Sequence, residues 1–81
     1  MIEFKIEIFL HEGVLDTQGR AVANALHKLG FPEVNENVRV GKIIYLKMDE
    51  SDINKASEKV KSMCEKLLAN PTIENYEIKV V

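Results

Sequence analysis

The spacing of apolar residues divides the chain into short strands and two helices. Apolar and polar residues alternate from Ile2 to Leu10 and again in Lys42–Met48 and Tyr76–Val81, which is the period of strands with one buried face. A shorter alternation predicts a fourth strand at Asn37–Val40, before a Gly41-Lys42 pair suited to a type II′ hairpin turn.

The first predicted helix spans about Thr17–Leu29. Asp16 and Thr17 are both candidate N-caps, Gly30 suits a left-handed C-cap, and Pro32 prevents continuation. An apolar stripe at helical spacing supports the prediction; it consists of Val22, Ala25, Leu26 and Leu29.

The second predicted helix starts after the acidic segment Asp49–Asp52, whose charges favour the positive end of a helix dipole, and runs to Ala69. Asn70-Pro71 ends it, because a residue before proline is disfavoured in helical geometry. Its apolar stripe comprises Ile53, Ala56, Val60, Met63, Cys64, Leu67 and Leu68.

The element order is therefore β-α-β-β-α-β in a single α+β domain of residues 1–81. Two helices with apolar stripes and four half-apolar strands bury their faces most simply as two layers. Right-handed crossovers then predict a ferredoxin-like sandwich, a four-stranded antiparallel sheet with both helices on one face.

Such a sheet leaves its other face uncovered. On that face Phe9, Ile43 and Tyr45 are expected to meet, because the strands at Ile2–Leu10 and Lys42–Met48 are antiparallel neighbours in this topology. Covering three such side chains contributes on the order of 4–8 kcal/mol before association costs. We therefore predict self-association through these three residues.

The same topology brings the loop after the first strand, the start of the first helix and the predicted hairpin tip to one edge of the domain. Helix N–H groups and basic side chains there could hold an anion or an acidic partner. The predicted partner interface consists of Asp16, Gln18, Gly19, Arg20, Arg39, Gly41 and Lys42.

Composition narrows the function classes. Eleven basic and thirteen acidic residues give a net charge of −2, which argues against nucleic-acid binding by bulk phosphate neutralisation. Cys64 is the single cysteine and lies on an apolar helix stripe, so neither a disulfide nor a cysteine metal site is expected.

Neither His11 nor His27 has an acid spaced to orient it, and no catalytic residue is predicted. Without an apolar run of the roughly 20 residues that span a membrane, we expect a cytoplasmic protein.

Four segments resemble the PurS family, in order and with family-like spacing: Gly13–Val22, Ala25–Phe31, Val38–Lys42 and Met63–Pro71. The resemblance implies a non-catalytic small subunit of phosphoribosylformylglycinamidine (FGAM) synthase, the fourth step of purine biosynthesis. It implies a PurL synthetase and a PurQ glutaminase as partners, with ATP and magnesium in PurL and no cofactor in this subunit. It also implies a dimer or tetramer, and a role in passing ammonia between the two enzymes.

One alternative uses the same fold. A regulatory module of the ACT type binds a small ligand at a similar loop-and-helix edge, and pairs of such modules also associate through their sheets. Titration of the isolated protein with amino acids or nucleotides would distinguish the two functions.

Overall fold

The computed structural model describes residues 1–81 and has two α-helices and one three-stranded sheet. The elements are, in chain order, β1 (Ile2–Leu10), α1 (Thr17–Lys28), β2 (Lys42–Met48), α2 (Ile53–Met63), a π-helical turn (Cys64–Leu68) and β3 (Glu74–Val80).

β1 is the central strand of an antiparallel sheet with the order β2-β1-β3. Ile6 of β1 lies opposite Ile44 of β2 and Ile78 of β3, so the apolar residues of all three strands share one face. Phe4, Ile6 and Ile8 are almost completely buried on that inner face. The three strands that the alternation predicted are therefore confirmed, with β3 starting two residues earlier, at Glu74.

α2 covers the inner face of the sheet and completes the core. Ala56 and Val60 are fully buried in the same cluster as the β1 residues. The helix starts where the acidic segment predicts, because the Asp52 side chain accepts hydrogen bonds from the N–H groups of Asn54 (2.9 Å) and Lys55 (3.4 Å). This cap satisfies donors that the first helical turn leaves unpaired.

The second helix does not continue as an α-helix to Ala69. The Ala69 N–H donates to the Cys64 carbonyl at 2.9 Å, a bond that closes a wider π-helical turn. The extra residue in this turn rotates Leu67 off the core face that an α-helix would give it. Leu67 is 83% exposed, whereas Cys64 and Ala69 are buried.

The predicted fourth strand at Asn37–Val40 is wrong, and so is the four-stranded sheet. This segment has no regular secondary structure and runs along the start of α1 instead of pairing with a strand. The Val40 N–H donates to the Asp16 carboxylate at 2.6 Å, and the Val38 carbonyl lies against Gly19. Bonds to the helix start thus replace the bonds of a sheet ladder.

The predicted type II′ turn at Gly41-Lys42 is wrong as well. Such a turn requires a positive φ at its first residue, and Gly30 is the chain's one glycine with a positive φ. Lys42 is instead the first residue of β2, so the chain enters the strand directly.

α1 and the returning segment 29–40 project from the sheet. We call residues 17–40 the arm. α1 makes no extensive contact with a strand or with α2, so the predicted packing of both helices on one face is wrong. The radius of gyration is 16.3 Å and the extents are 50 × 24 × 14 Å. A compact chain of this length has a radius of gyration of about 12 Å.

The end of α1 matches the sequence prediction closely. Gly30 has a φ of 102°, its N–H donates to the His27 carbonyl, and the Phe31 N–H donates to the Leu26 carbonyl. These two bonds make a Schellman cap.

Gly30→Ala should lower the free energy of unfolding by about 1 kcal/mol, because a side chain is disfavoured in the left-handed region. Urea titration measures this change. Gly13→Ala is the matched control, since no atom lies within 4 Å of the added methyl group and φ is not positive there. Equal effects of both substitutions would contradict the assignment.

Candidate functional site: the base of the arm

Asp16 fastens the two ends of the arm to each other. Its carboxylate accepts hydrogen bonds from the N–H of Gly19 (2.7 Å) at the start of α1 and from the N–H of Val40 (2.6 Å) in the returning segment. Asp16 is only 6% exposed. The bond from Val40, followed by that from Gly19, holds the pKa of Asp16 below its ordinary value.

Arg39 fastens the arm to the end of β1. Its guanidinium donates to the carbonyl of Val14 at 2.8 Å and to that of His11 at 2.9 Å. His11 directly follows β1, and its own N–H donates to the Ile73 carbonyl at 2.8 Å, just before β3. A planar guanidinium can bridge two carbonyl groups in this way, whereas a single ammonium has no such fixed fork.

Gly19 allows the arm to close at its base. A Cβ atom at this position would lie 1.9 Å from the carbonyl oxygen of Val38, so no side chain fits between α1 and the returning segment. Ala23, one helical turn later, is also fully buried. Small residues on this side of α1 thus permit close packing of the two halves of the arm.

The other predicted interface residues lie around this base. Gln18, Gly41 and Lys42 are exposed, and so is Arg20. The side chains of Arg20 and Lys42 make only long ion pairs, with Glu36 at 3.7 Å and Glu74 at 3.9 Å. Gln18, Gly41 and Lys42 also line an open depression of about 400 Å³ beside the arm.

The structure thus brings together all seven residues predicted as the partner interface, although the predicted hairpin is absent. Asp16 and Gly19 are buried, and the Asp16 carboxylate accepts backbone N–H groups, including that of Gly19. Arg39 is exposed, but its guanidinium donates to two backbone carbonyls. The exposed members are those available for contact. That these residues meet a partner stays a prediction.

Phe9, Ile43 and Tyr45 form a second exposed group, called here the outer patch. They lie on the face of the sheet opposite α2, and Tyr45 is 60% exposed. Ile43 lies across from Glu7 in the register, which makes it the diagonal neighbour of Phe9. The register places Ile43 between Phe9 and Tyr45 on this face, and the predicted self-association through these residues stays a prediction.

Charged residues occupy the centre of this outer face. Glu7 pairs with Lys79 at 3.2 Å and with Lys5 at 3.4 Å, and these contacts, led by the one with Lys79, lower the pKa of Glu7. The apolar part of the outer face is therefore confined to the β2 side.

A family model described as PurS, phosphoribosylformylglycinamidine (FGAM) synthase, matches residues 3–81. The chain belongs to the PurS family. The FGAM synthase subunit PurS of Bacillus subtilis is 46% identical over 80 residues, covering 99% of this chain and 93% of that protein. The PurS subunit of Methanocaldococcus jannaschii is 45% identical over 80 residues, covering 99% and 95% of the two chains.

Solved PurS structures have the same fold as this PurS-family chain. The B. subtilis PurS structure superposes with a TM-score of 0.86 at 44% identity and covers 100% of this chain and 99% of that chain. A chain in the structure of PurLQS from Thermotoga maritima superposes with a TM-score of 0.86 at 32% identity, covering 99% and 96% of the two chains.

Sequence reasoning missed one exposed surface of this PurS-family chain. The stripe Val22, Ala25, Leu26 and Leu29 was expected to pack on the sheet, but Leu26 is only half-buried and the other three are exposed, Leu29 by 73%. We call these four residues the arm stripe. The helical spacing identifies the stripe but does not indicate which surface covers it.

The side chains that could bind a metal or act as nucleophiles do not cluster. No group of three or more metal-ligating side chains comes together. Cys64 is buried beneath α2, and its burial raises the pKa of the thiol. His27 contacts the Val34 carbonyl through Nε2 at 2.6 Å, which joins the two halves of the arm near its tip. Neither helix has the length and apolar character that crossing a bilayer requires.

Asp16→Asn should flatten the pH dependence of unfolding in acid. Because the pKa of Asp16 is lower in the folded state than its ordinary 3.8, the carboxylate stabilises the fold above that pH. This stabilisation is lost as pH falls through the lower, folded-state pKa. Urea titrations between about pH 5 and pH 2 measure the free energy of unfolding, which should fall less steeply with decreasing pH in the variant than in the parent chain. Glu7 and Glu50, whose pKa values are also lowered, leave a residual slope. Identical slopes would contradict the bonding described for Asp16.

Proposed function

We propose that the chain is the small subunit of an FGAM synthase and joins a PurL-like synthetase to a PurQ-like glutaminase. The superposition on the chain from T. maritima PurLQS, over nearly the full length of both chains, is the observation that carries the proposal. The family match over residues 3–81 agrees with it.

The proposed role is mechanical. Ammonia released by a glutaminase must reach the synthetase before water protonates it, because ammonium is not a nucleophile. Transfer therefore needs two enzymes held in a sealed contact that excludes water. A subunit that binds both partners raises the effective concentration of each at the other's surface.

In this proposal the exposed residues at the base of the arm contact a partner enzyme. Arg20 and Lys42 offer positive charge with only weak intramolecular pairing, which suits an acidic partner surface. Buried Asp16 and Gly19, together with Arg39, support the shape of that surface. ATP and magnesium belong to the PurL-like partner, and no cofactor is assigned to this subunit.

Arg20→Glu with Lys42→Glu should weaken assembly with the two enzymes by about tenfold or more, because two favourable charges become repulsive. Native mass spectrometry of mixtures with a matched synthetase and glutaminase measures the assembled fraction. Lys61→Glu with Lys66→Glu is the matched control, since both lysines are exposed and lie far along the chain from the arm. Undiminished assembly of the first variant would remove this surface from the proposal.

We further propose that two copies associate through the arm stripe and that the outer patch provides a second contact. An isolated helix of 12 residues is marginal in water, so α1 needs a covering surface that its own sheet does not supply. The inner residues of β2 are only half-buried beside α2 and offer an apolar surface to a second copy's α1. The outer patch belongs to a sheet that is already stable, and its contact is the weaker one.

The cytoplasmic location expected from the sequence stays a prediction. Fractionation of cells that produce the chain tests it directly.

A further inference from the structure

The arm is joined to the sheet through very few bonds. α1 has no extensive packing against the strands, so the loops at the arm's base determine the angle between arm and sheet. Two side chains make the bonds there: Asp16 joins the start of α1 to Val40, and Arg39 joins the returning segment to the backbone beyond β1.

We propose that Asp16 and Arg39 act as a clamp that sets the angle of the arm, and that they are positioning residues for ammonia transfer. The proposal rests on the proposed function. Both residues belong to the group first predicted to contact a partner, and their bonds assign them another task. They fix the geometry in which the exposed residues and the arm stripe are presented.

The clamp works because each residue satisfies two separate backbone groups. The Asp16 carboxylate receives N–H groups from positions 19 and 40, so both of its oxygens must be acceptors. An asparagine side chain has only one acceptor oxygen, because its N–H₂ group is a donor. It can therefore accept from only one of the two backbone N–H groups. The Arg39 guanidinium donates to carbonyl groups of residues 11 and 14 at once, and a lysine ammonium lacks that fork.

Two further contacts join the two halves of the arm beyond Asp16 and Arg39. Gly19 lies in close contact with Val38, and His27 bonds to Val34 nearer the tip. The two halves of the arm are therefore joined along its length, and a change at the base moves the arm as one body.

Asp16→Asn and Arg39→Lys test the clamp, with Asp49→Asn and Lys61→Arg as conservative, charge-matched controls at exposed positions. Hydrogen exchange gives the first readout. Exchange of the Val40 amide should quicken about tenfold in Asp16→Asn, since a charge-assisted hydrogen bond is lost. Exchange in the core strand β1 should stay as in the parent chain, which shows that the variant remains folded.

The second readout separates positioning from stability. FGAM synthase reconstituted from this chain, a PurL-like synthetase and a PurQ-like glutaminase is titrated with each variant until the glutamine-dependent rate reaches a plateau. Loss of folded subunit shifts only the concentration needed to reach the plateau. A misplaced arm lowers the plateau itself, and we expect a loss of about tenfold for both clamp variants. The rate with ammonium in place of glutamine should not change, and both controls should match the parent chain.

The clamp proposal would be overturned if a clamp variant showed faster exchange of the Val40 amide and still reached the same plateau of the glutamine-dependent rate as the parent chain. Failure of the parent chain itself to support glutamine-dependent turnover would instead overturn the proposed function. The two failures are therefore distinguishable.

Discussion

Val22→Glu combined with Leu29→Glu should convert the proposed dimer into an elongated monomer. Both side chains belong to the arm stripe and are exposed in the single chain. Covering a large aliphatic side chain contributes about 1.5–3 kcal/mol, and each change also places a charge in the contact. A symmetric dimer contains each substitution twice, so the dissociation constant should rise by about a thousandfold or more.

Light scattering after size exclusion measures the mass, and small-angle scattering measures the shape. The monomer should stay elongated, with a radius of gyration well above the value of about 12 Å for a compact chain of this length. Circular dichroism should show reduced helix content, since an uncovered helix of this length is marginal. The matched control is Thr17→Glu with Asn24→Glu, which adds the same charge at exposed positions on the side of α1 away from the arm stripe. A monomeric control, or an unchanged stripe variant, would contradict the assignment of the arm stripe.

The outer patch has a different expected effect. Phe9→Glu with Tyr45→Glu should leave the arm contact intact and remove only a second, larger assembly. If the mass of this variant equals that of the parent chain, the outer patch is not a contact surface.

Gly19→Ala should destabilise the chain by about 2 kcal/mol. In an exposed helix this change stabilises by up to about 1 kcal/mol, because alanine is the better helix former. Here the added methyl group would lie 1.9 Å from the Val38 carbonyl oxygen, and backbone must shift to admit it. Overpacking of this kind costs about 1–3 kcal/mol. The sign of the change therefore tells whether the returning segment is packed on α1.

Urea unfolding of Gly19→Ala measures the change in free energy, and hydrogen exchange locates it. Exchange should quicken at Val40 and through α1 and stay unchanged in β1. Gln18→Ala is the control at the neighbouring exposed position, where a small change is expected. A stabilised Gly19→Ala protein would show that the arm is open at its base.

Local patterns predicted the elements that local physics determines. The alternation in Ile2–Leu10 gave the bounds of β1, because a strand buried on one face must keep its period of two. Asp16 and Gly30 marked the ends of α1, since capping depends on side-chain chemistry and backbone φ at single residues. The chain segments that meet at the base of the arm were predicted from a four-stranded topology that the structure lacks, and they meet instead through the bonds of Asp16 and Arg39.

The arrangement of those elements required information that no local pattern contains. Val38 and Val40 alternate like strand residues, but the Val40 N–H bonds to Asp16 and the Val38 carbonyl lies on Gly19. Helical spacing predicted that the residues of the arm stripe share one face of α1. It does not indicate whether the surface that covers this face belongs to the same chain. Leu67 was lost from the core through a single wider turn at Cys64, which the spacing of apolar residues does not reveal.

We propose that the chain works by holding two enzymes together and contributes no reacting group. The most direct test is the rate of FGAM formation by a PurL-like synthetase and a PurQ-like glutaminase, with and without this chain, using either glutamine or ammonium as the nitrogen donor. We predict that the glutamine-dependent rate requires the chain and that the rate at high ammonium does not. Equal glutamine-dependent rates in its absence would contradict the claim, as would glutamine hydrolysis by the purified chain alone.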